Sequence, residues 1–216
     1  MNVVFRKFDL AVRTKYVLFR LDYQAFRESI SKLGVSLPSP PPQPTTGYLV
    51  PSGVIPTGIG RTGIEIDISG GIIAARGVAP KETLDLFSKI VDSVNRDLEL
   101  NLDENAWFYE IVSSCSVKID KDPIEALLQR FGASCDLSEL EKTFGVGAQI
   151  NRIRIGPQHA DPNTTSYYDI DIMPDIFRPR DSMLIEFVYR EPKLEPIQKV
   201  AGDMDAVISK VVLAIV

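Results

Sequence analysis

Alternating apolar and acidic residues predict strands in two similar segments. IEIDI at 64–68 and YDIDI at 168–172 place isoleucine at alternate positions, with carboxylates between them. Successive side chains of a strand point to opposite faces of a sheet, so Ile64 and Ile66 share one face while Glu65 and Asp67 share the other. The pattern of β-branched and aromatic residues predicts strands at 15–22, 62–69, 72–77, 106–120, 149–156, 166–173 and 182–190.

Apolar residues three or four positions apart predict two long helices. The first occupies 79–98, has Pro80 in its first turn and carries the apolar stripe Leu84, Phe87, Val91, Val94 and Leu98. The second occupies 195–216, with Pro196 in the matching place and the stripe Ile197, Val200, Met204, Val207 and Val211. Shorter helices are predicted at 23–34, 121–132 and 137–145.

These elements follow the same order in both halves of the chain. Asp22 precedes Gly34 by twelve positions and Asp120 precedes Gly132 by twelve, an offset of 120 − 22 = 98 without a gap. We infer a tandem β-α-β-β-β-α repeat, with one half at 1–101 and the other at 102–216 in one compact pseudo-twofold unit. The proline-rich segment 36–47 is a semi-rigid connection within the first half.

This order of elements resembles one half of the TATA-box-binding-protein-like fold, and the wider helix-grip group that includes the START-like lipid carriers. The resemblance implies an α+β fold in which an antiparallel sheet is covered on one face by two long helices. It also implies a groove between helix and sheet. It includes no family-specific motif, so no functional residue is carried over.

Charge and composition restrict the partners. The formal net charge of −5 disfavours a nucleic-acid partner, because the phosphate backbone binds basic protein surfaces. Three arginines, Arg61, Arg152 and Arg154, are candidate contacts for an anion or a partner. No segment approaches the roughly 20 apolar residues of a membrane span, and the N-terminus lacks the apolar core of a signal peptide. Two isolated cysteines, Cys115 and Cys135, favour reduced thiols and a cytoplasmic location; the oligomeric state stays open.

The segment GIGRTG at 58–63 matches the glycine spacing of dinucleotide-binding loops. Such a loop follows a strand and begins a helix, whose N-terminus holds the pyrophosphate. Here the glycines follow a proline-rich segment and lead directly into the alternating strand at 62–69. The context therefore predicts that no cofactor binds at this loop.

The acidic residues of the two similar strands are candidate metal ligands. Glu65, Asp67, Asp169 and Asp171 would line the uncovered face of a joined sheet. Carboxylates at this spacing can hold Mg²⁺ or Ca²⁺ or share protons, and the alternative is a solvated sheet face. Their charge opposes DNA binding through that face, and Arg152 and Arg154 can pair with neighbouring acids across strands.

No catalytic set is evident elsewhere. His159 lies in a turn-rich loop beside Asp161 and Ser166, and neither cysteine has a histidine partner in sequence. We therefore predict a non-enzymatic binding or regulatory protein that uses a groove or the sheet face, with a protein or small-molecule ligand. The alternative is a divalent-metal-dependent hydrolase or phosphate-processing enzyme that uses the acidic sheet face, and a DNA-binding protein ranks third.

Overall fold

The computed structural model describes residues 1–15, 23–35, 49–56, 61–67, 71–98, 100–132, 136–158 and 165–215. Within these ranges the strands are β1 Val3–Thr14, β2 Leu49–Pro56, β3 Arg61–Asp67, β4 Ile72–Gly77, β5 Ala106–Lys118, β6 Ile153–Ile155, β7 Tyr167–Pro174 and β8 Ser182–Glu191. The helices are α1 Tyr23–Ser31, α2 Pro80–Asp97, α3 Leu102–Asn105, α4 Pro123–Phe131, α5 Ser138–Phe144, α6 Leu194–Gly202 and α7 Met204–Leu213. The chain is an α+β protein.

The described strands form one antiparallel sheet in the order β2-β3-β4-β1-β5-β8-β7-β6. At its centre Leu10 of β1 lies opposite Ile111 of β5, and both side chains are fully buried. Counted inward from the two edges, the order is 2-3-4-1 on one side and 6-7-8-5 on the other. Each half of the chain therefore contributes four adjacent strands.

The central strand β1 was missed by the sequence analysis, which placed the first strand at 15–22. The structure places it at Val3–Thr14, and residues 16–22 lie outside the described ranges. Phe8, Leu10 and Val12 alternate into the core, but a β-bulge between Phe5 and Lys7 breaks the alternation at its start. An inserted residue reverses which positions face inward, so a period-two pattern cannot be followed through it.

The edge strand β2 was also not predicted. It contains Pro51, Gly53 and Pro56 and pairs with β3 through a register shift between Val50 and Gly53. Proline lacks the N–H of a sheet ladder, so it is tolerated mainly at sheet edges and bulges. The other predicted strands are confirmed to within a few residues, although β6 has only three residues.

The first long helix is confirmed, whereas the second is interrupted. α2 runs from Pro80 to Asp97 and buries Leu86, Phe87, Ile90, Val91 and Val94. The C-terminal segment forms α6 and α7, which meet at Gly202 and Asp203. Glycine and aspartate are poor helix formers, which explains an interruption that the apolar stripe alone does not reveal.

The helices contact different strands of the sheet. α2 contacts β1 and β4, α6 contacts β5 and β8, and α2 also contacts α6. The Phe87 ring of α2 meets the Tyr109 ring of β5 edge-on, with centroids 6.4 Å apart. Gln198 of α6 donates a hydrogen bond to the Ser88 hydroxyl of α2 over 3.1 Å. One cluster of buried apolar residues includes members from both halves of the chain.

Candidate functional site

The acidic residues of β3 and β7 lie opposite the buried isoleucines of the same strands. Ile64 and Ile66 are almost fully buried, as is Ile172, while Glu65 and Asp67 retain partial exposure. We call the side of the sheet that carries these carboxylates the charged face. It also carries Lys7, Asp9, Arg76, Glu110, Glu186 and Arg190 from the strands between them, by the observed register.

Arginines neutralise most of the predicted metal ligands. Arg76 pairs with Glu65. The Nε of Arg152 donates to Asp171 over 2.7 Å, and the Nε of Arg154 donates to Asp169 over 2.7 Å. The hydrogen bond from Arg154 lowers the pKa of Asp169, so this carboxylate is charged and paired at neutral pH. Arg152 and Arg154, two of the three arginines predicted as anion or partner contacts, therefore pair with carboxylates of the sheet.

The four predicted ligands do not converge. β3 and β7 are separated by four strands, β4, β1, β5 and β8, which at about 4.8 Å per step puts roughly 24 Å between the two acidic pairs. In the ranges that the structure describes, no group of three or more His, Cys, Asp or Glu side chains could hold a metal ion. The magnesium site stays a prediction, without grouped ligands to support it.

Of the remaining sequence candidates, some lie in the described residues and others lie outside them. Arg61 begins β3, and the next described helix after it begins only at Pro80, so the glycine segment leads into a strand. His159 and Cys135, with Gly58 and Gly60, lie outside the described residues. Cys115 is fully buried, and burial, together with the Asp205 carboxylate, raises the pKa of its thiol to about 12. Cys115 is thus a protonated thiol and no nucleophile at neutral pH.

A feature that the sequence analysis missed is an open cavity of about 640 Å³. It lies where the start of β1, the first turn of α2 and the α6–α7 junction meet, and we call it the junction cavity. Its apolar wall includes Val3 and Phe5 from β1, Val78 and Pro80 at the entry to α2, and Ala201 and Met204 from α6 and α7. No sequence pattern connects these three segments, because only the fold brings them together.

The charged side chains of the junction cavity are Lys81, Glu82 and Asp205. Glu82 lies in the first turn of α2, where the helix dipole favours a negative charge. Its Oε2 atom is buried and has no hydrogen-bond partner among the described residues. Buried polar atoms of native proteins are nearly always hydrogen-bonded, and Glu82 Oε2 is one of three exceptions among the described residues.

The turn between β7 and β8 is a second unpredicted feature. Asp175 is fully buried at its base, where it pairs with Arg6 of the β1 bulge. It also accepts hydrogen bonds from the Ser116 hydroxyl over 2.5 Å and from the Phe177 backbone N–H over 3.0 Å. Burial opposes ionisation, but these donors outweigh it and lower the pKa of Asp175 to about 2.

Beyond that anchor the turn exposes large apolar side chains. Ile176 and Phe177 are 73% and 75% exposed. The guanidinium of Arg6 lies over the Phe177 ring at 5.0 Å, and Arg178 pairs with Asp181 over 2.5 Å. The contacts between Asp175 and Arg6 therefore hold the exposed apolar part of the turn in a defined position. The β1 bulge and the buried carboxylate that make these contacts are far apart in sequence.

No helix in the described ranges is both long and apolar enough to cross a bilayer. No family model matches the sequence, and no curated protein matches it.

Proposed function

We propose that this chain is a non-enzymatic binding protein whose ligand occupies the junction cavity. The observation that carries the proposal is the volume of this cavity, which is lined by a largely apolar wall. A volume of about 640 Å³ lies within the roughly 300–1,000 Å³ typical of small-molecule pockets. Apolar walls with a few polar groups are the usual composition of such pockets, and the wall here has three charged side chains.

The composition of the wall favours binding over catalysis. None of the described lining residues is a histidine, cysteine, serine or threonine, so the wall offers no hydroxyl or thiol nucleophile and no imidazole base. Glu82 and Asp205 are carboxylates without a grouped third ligand for a metal among the described residues. The buried free thiol of Cys115 accords with a cytoplasmic location, which is part of the same proposal.

We further propose that the fold is a tandem duplication, with α2 and the α6–α7 pair on the same side of the sheet. The mirrored strand order and the contact of α2 with α6 support this arrangement. It would fit the TATA-binding-protein-like and helix-grip resemblance. The 98-residue offset needs adjustment, since it pairs buried Phe26 with the partly buried Ile124, whereas α4 buries Pro123, Ala126 and Leu127.

The charged face is a weaker candidate for the binding surface. Arg152, Arg154 and Arg190 pair with carboxylates of the sheet, as Arg76 does. Their charge is therefore not directed at phosphate, and the net charge of −5 opposes a polyanion. We accordingly expect no specific nucleic-acid partner on this face.

An apolar fluorescent dye tests the proposed function. N-phenyl-1-naphthylamine is uncharged at neutral pH and becomes bright in an apolar site, so we expect saturable fluorescence with the wild-type chain. Val4 lines the cavity and is 54% exposed, so Val4→Trp should obstruct the entrance without disturbing the core. We expect this variant to lose most of the signal.

The matched control is Leu213→Trp, which places the same indole side chain at a 69% exposed position of α7 outside the cavity wall. Its dye signal should equal that of the wild type. Absence of saturable binding to the wild-type chain, or equal binding by Val4→Trp, would contradict the proposed function.

A further inference from the structure

Helix α5 carries apolar side chains that no described part of the chain covers. None of its seven residues is buried. Leu140 and Phe144 lie four positions apart on one face of the helix, and Phe144 is 70% exposed. Val146, just beyond the helix end at Gly145, is 68% exposed. A helix this short gains most of its stability by packing an apolar face, so this face indicates a contact made outside the single chain.

The β7–β8 turn, residues 175–181, exposes a second apolar pair, Ile176 and Phe177. All five residues from 176 to 180 are exposed, while the buried Asp175 anchors the base of the turn to Arg6. Adjacent large apolar side chains at this exposure are typical of an interaction surface. Because the base is held, the pair loses little conformational freedom when a partner binds it.

The segment that follows α5 and the β7–β8 turn join neighbouring strands at the same end of the sheet. The chain enters β6 at Ile153, which pairs with Ile172 near the end of β7. β7 then ends at Pro174, directly before the turn. The two exposed apolar segments are therefore attached to the same end of the sheet, close to its β6 edge.

The two segments carry opposite net charge. The charged side chains of 136–146, which contains α5, are three carboxylates and one ammonium, namely Asp136, Glu139, Glu141 and Lys142.

In the turn, Arg178 pairs with Asp181, and Arg6 neutralises the buried Asp175. Arg180 is exposed and forms no ion pair with a described residue. The turn therefore has one arginine whose charge is not compensated, and complementary charge beside apolar surface favours a specific contact.

We propose that the chain forms a symmetric dimer in which α5 of each copy packs on the β7–β8 turn of the other. Phe144 covers Ile176 and Phe177, and Glu141, on the flank of the same helix face, pairs with Arg180. A twofold axis forms this contact twice. A turn packed on a turn would oppose two arginines, and an anionic lipid surface would repel the acidic α5 segment. The described wall of the junction cavity contains none of these residues, so the dimer is independent of the proposed function.

Sedimentation velocity on the full chain from about 1 to 500 μM measures the self-association. We expect a monomer–dimer equilibrium, with dimer at the upper concentrations. Ile176→Ser should weaken dimerisation about tenfold or more, because each dimer loses the apolar contact twice. The matched control Leu213→Ser removes an isomeric side chain from a 69% exposed position of α7 and should leave dimerisation unchanged.

A charge exchange tests the pairing of the two segments. Arg180→Glu and Glu141→Arg each place like charges in both contacts, so each variant alone should dimerise about tenfold more weakly or worse. An equimolar mixture should regain dimerisation, because in the mixed dimer one contact joins the two reversed charges and the other contact is unchanged. Circular dichroism verifies that each variant is folded.

Three results would overturn the dimer. The first is a wild-type chain that stays monomeric over the whole concentration range. The second is equal dimerisation by Ile176→Ser and Leu213→Ser. The third is a mixture of the two charge variants that associates no better than either variant alone, as expected if the substitutions only disturb α5 or the turn.

Discussion

The two halves of the sheet carry similar elements but end them differently. In the first half, α2 is one continuous helix of 18 residues that packs Phe87 and Val91 into the core. In the second half, the helical segment is divided at Gly202 and Asp203 into α6 and α7. That division supplies four residues of the junction cavity wall, Ala201, Gly202, Met204 and Asp205.

The connections between paired strands also differ between the two halves, and the longer one again lies in the second half. Four residues, 68–71, connect β3 to β4, and Gly71 has a positive φ of 65°. Seven residues, 175–181, connect β7 to β8, and Asp175 anchors them to Arg6 and Ser116. In both comparisons the second half carries the additional feature, which is the divided helix or the longer turn. Each of these lies at the end of a helix or strand, where connecting segments tolerate insertions and other changes.

The pattern that the two halves share builds the scaffold, and the departures from it build the candidate sites. A continuous helix on a sheet buries its stripe and leaves little space at its end. A divided helix leaves a gap beside its junction, and here that gap forms part of the junction cavity. Four predictions test this contrast.

The largest effect should come from Val91→Asp in α2. Val91 is 2% exposed, so the variant buries an unpaired carboxylate and should lose about 4 kcal/mol or more of unfolding free energy. The equivalent stripe position in α7, Val207, is only partly buried, so Val207→Asp should lose about half as much. Urea denaturation followed by circular dichroism measures both. Equal losses would show that the two helices are equally packed.

The next largest effect should come from Asp175→Asn at the base of the β7–β8 turn. Removing one partner of a buried ion pair leaves Arg6 without its carboxylate and should cost about 3 kcal/mol at neutral pH. The control is Asp181→Asn, whose partner Arg178 is exposed, and it should cost under about 1 kcal/mol. Chemical denaturation at pH 7 compares them, and equal costs would remove the special role of the anchor.

The lowered pKa of Asp175 predicts that the free energy of unfolding depends on pH. Its pKa in the folded chain is about 2, below the ordinary value of 3.8, so it stabilises the fold above pH 4 and this contribution is lost as the pH falls towards 2. The stability difference between wild type and Asp175→Asn should therefore be constant from pH 7 to about 5 and shrink from about 4 to 2. Unfolding free energies across this range measure it. A difference that stays constant down to pH 2 would show that Asp175 does not titrate as described.

The smallest effect should come from Gly202→Ala at the end of α6. The φ of Gly202 is not in the left-handed region, and an added Cβ would reach Leu84 Cδ2 at 4.0 Å, an ordinary contact. Alanine should therefore stabilise the chain by about 0.5 kcal/mol through its higher helix propensity. Thermal melting detects the change. A loss of stability would indicate that the junction requires glycine for a reason beyond helix propensity.

Local patterns predicted the elements best where one periodicity was uninterrupted. α2, β5 and β8 are long, regular segments, and their sequences alone located them. β1 and β2 were missed because a bulge at Arg6 and the prolines Pro51 and Pro56 interrupt the strand pattern. The candidate site was missed entirely, since its wall combines residues about 80 and 200 positions along the chain with the N-terminus.

Side-chain patterns along the chain were enough to predict the α+β class, the antiparallel pairing of β3 with β4, and the alternation that separates Ile64 and Ile66 from Glu65. These follow from side-chain periodicity, which is a local property of the chain. Only tertiary contacts show that arginines neutralise Asp169 and Asp171, that Asp175 meets Arg6, and that three distant segments line the junction cavity. Those outcomes depend on strand register, on a bulge and on a helix division, each of which joins segments that no local pattern relates.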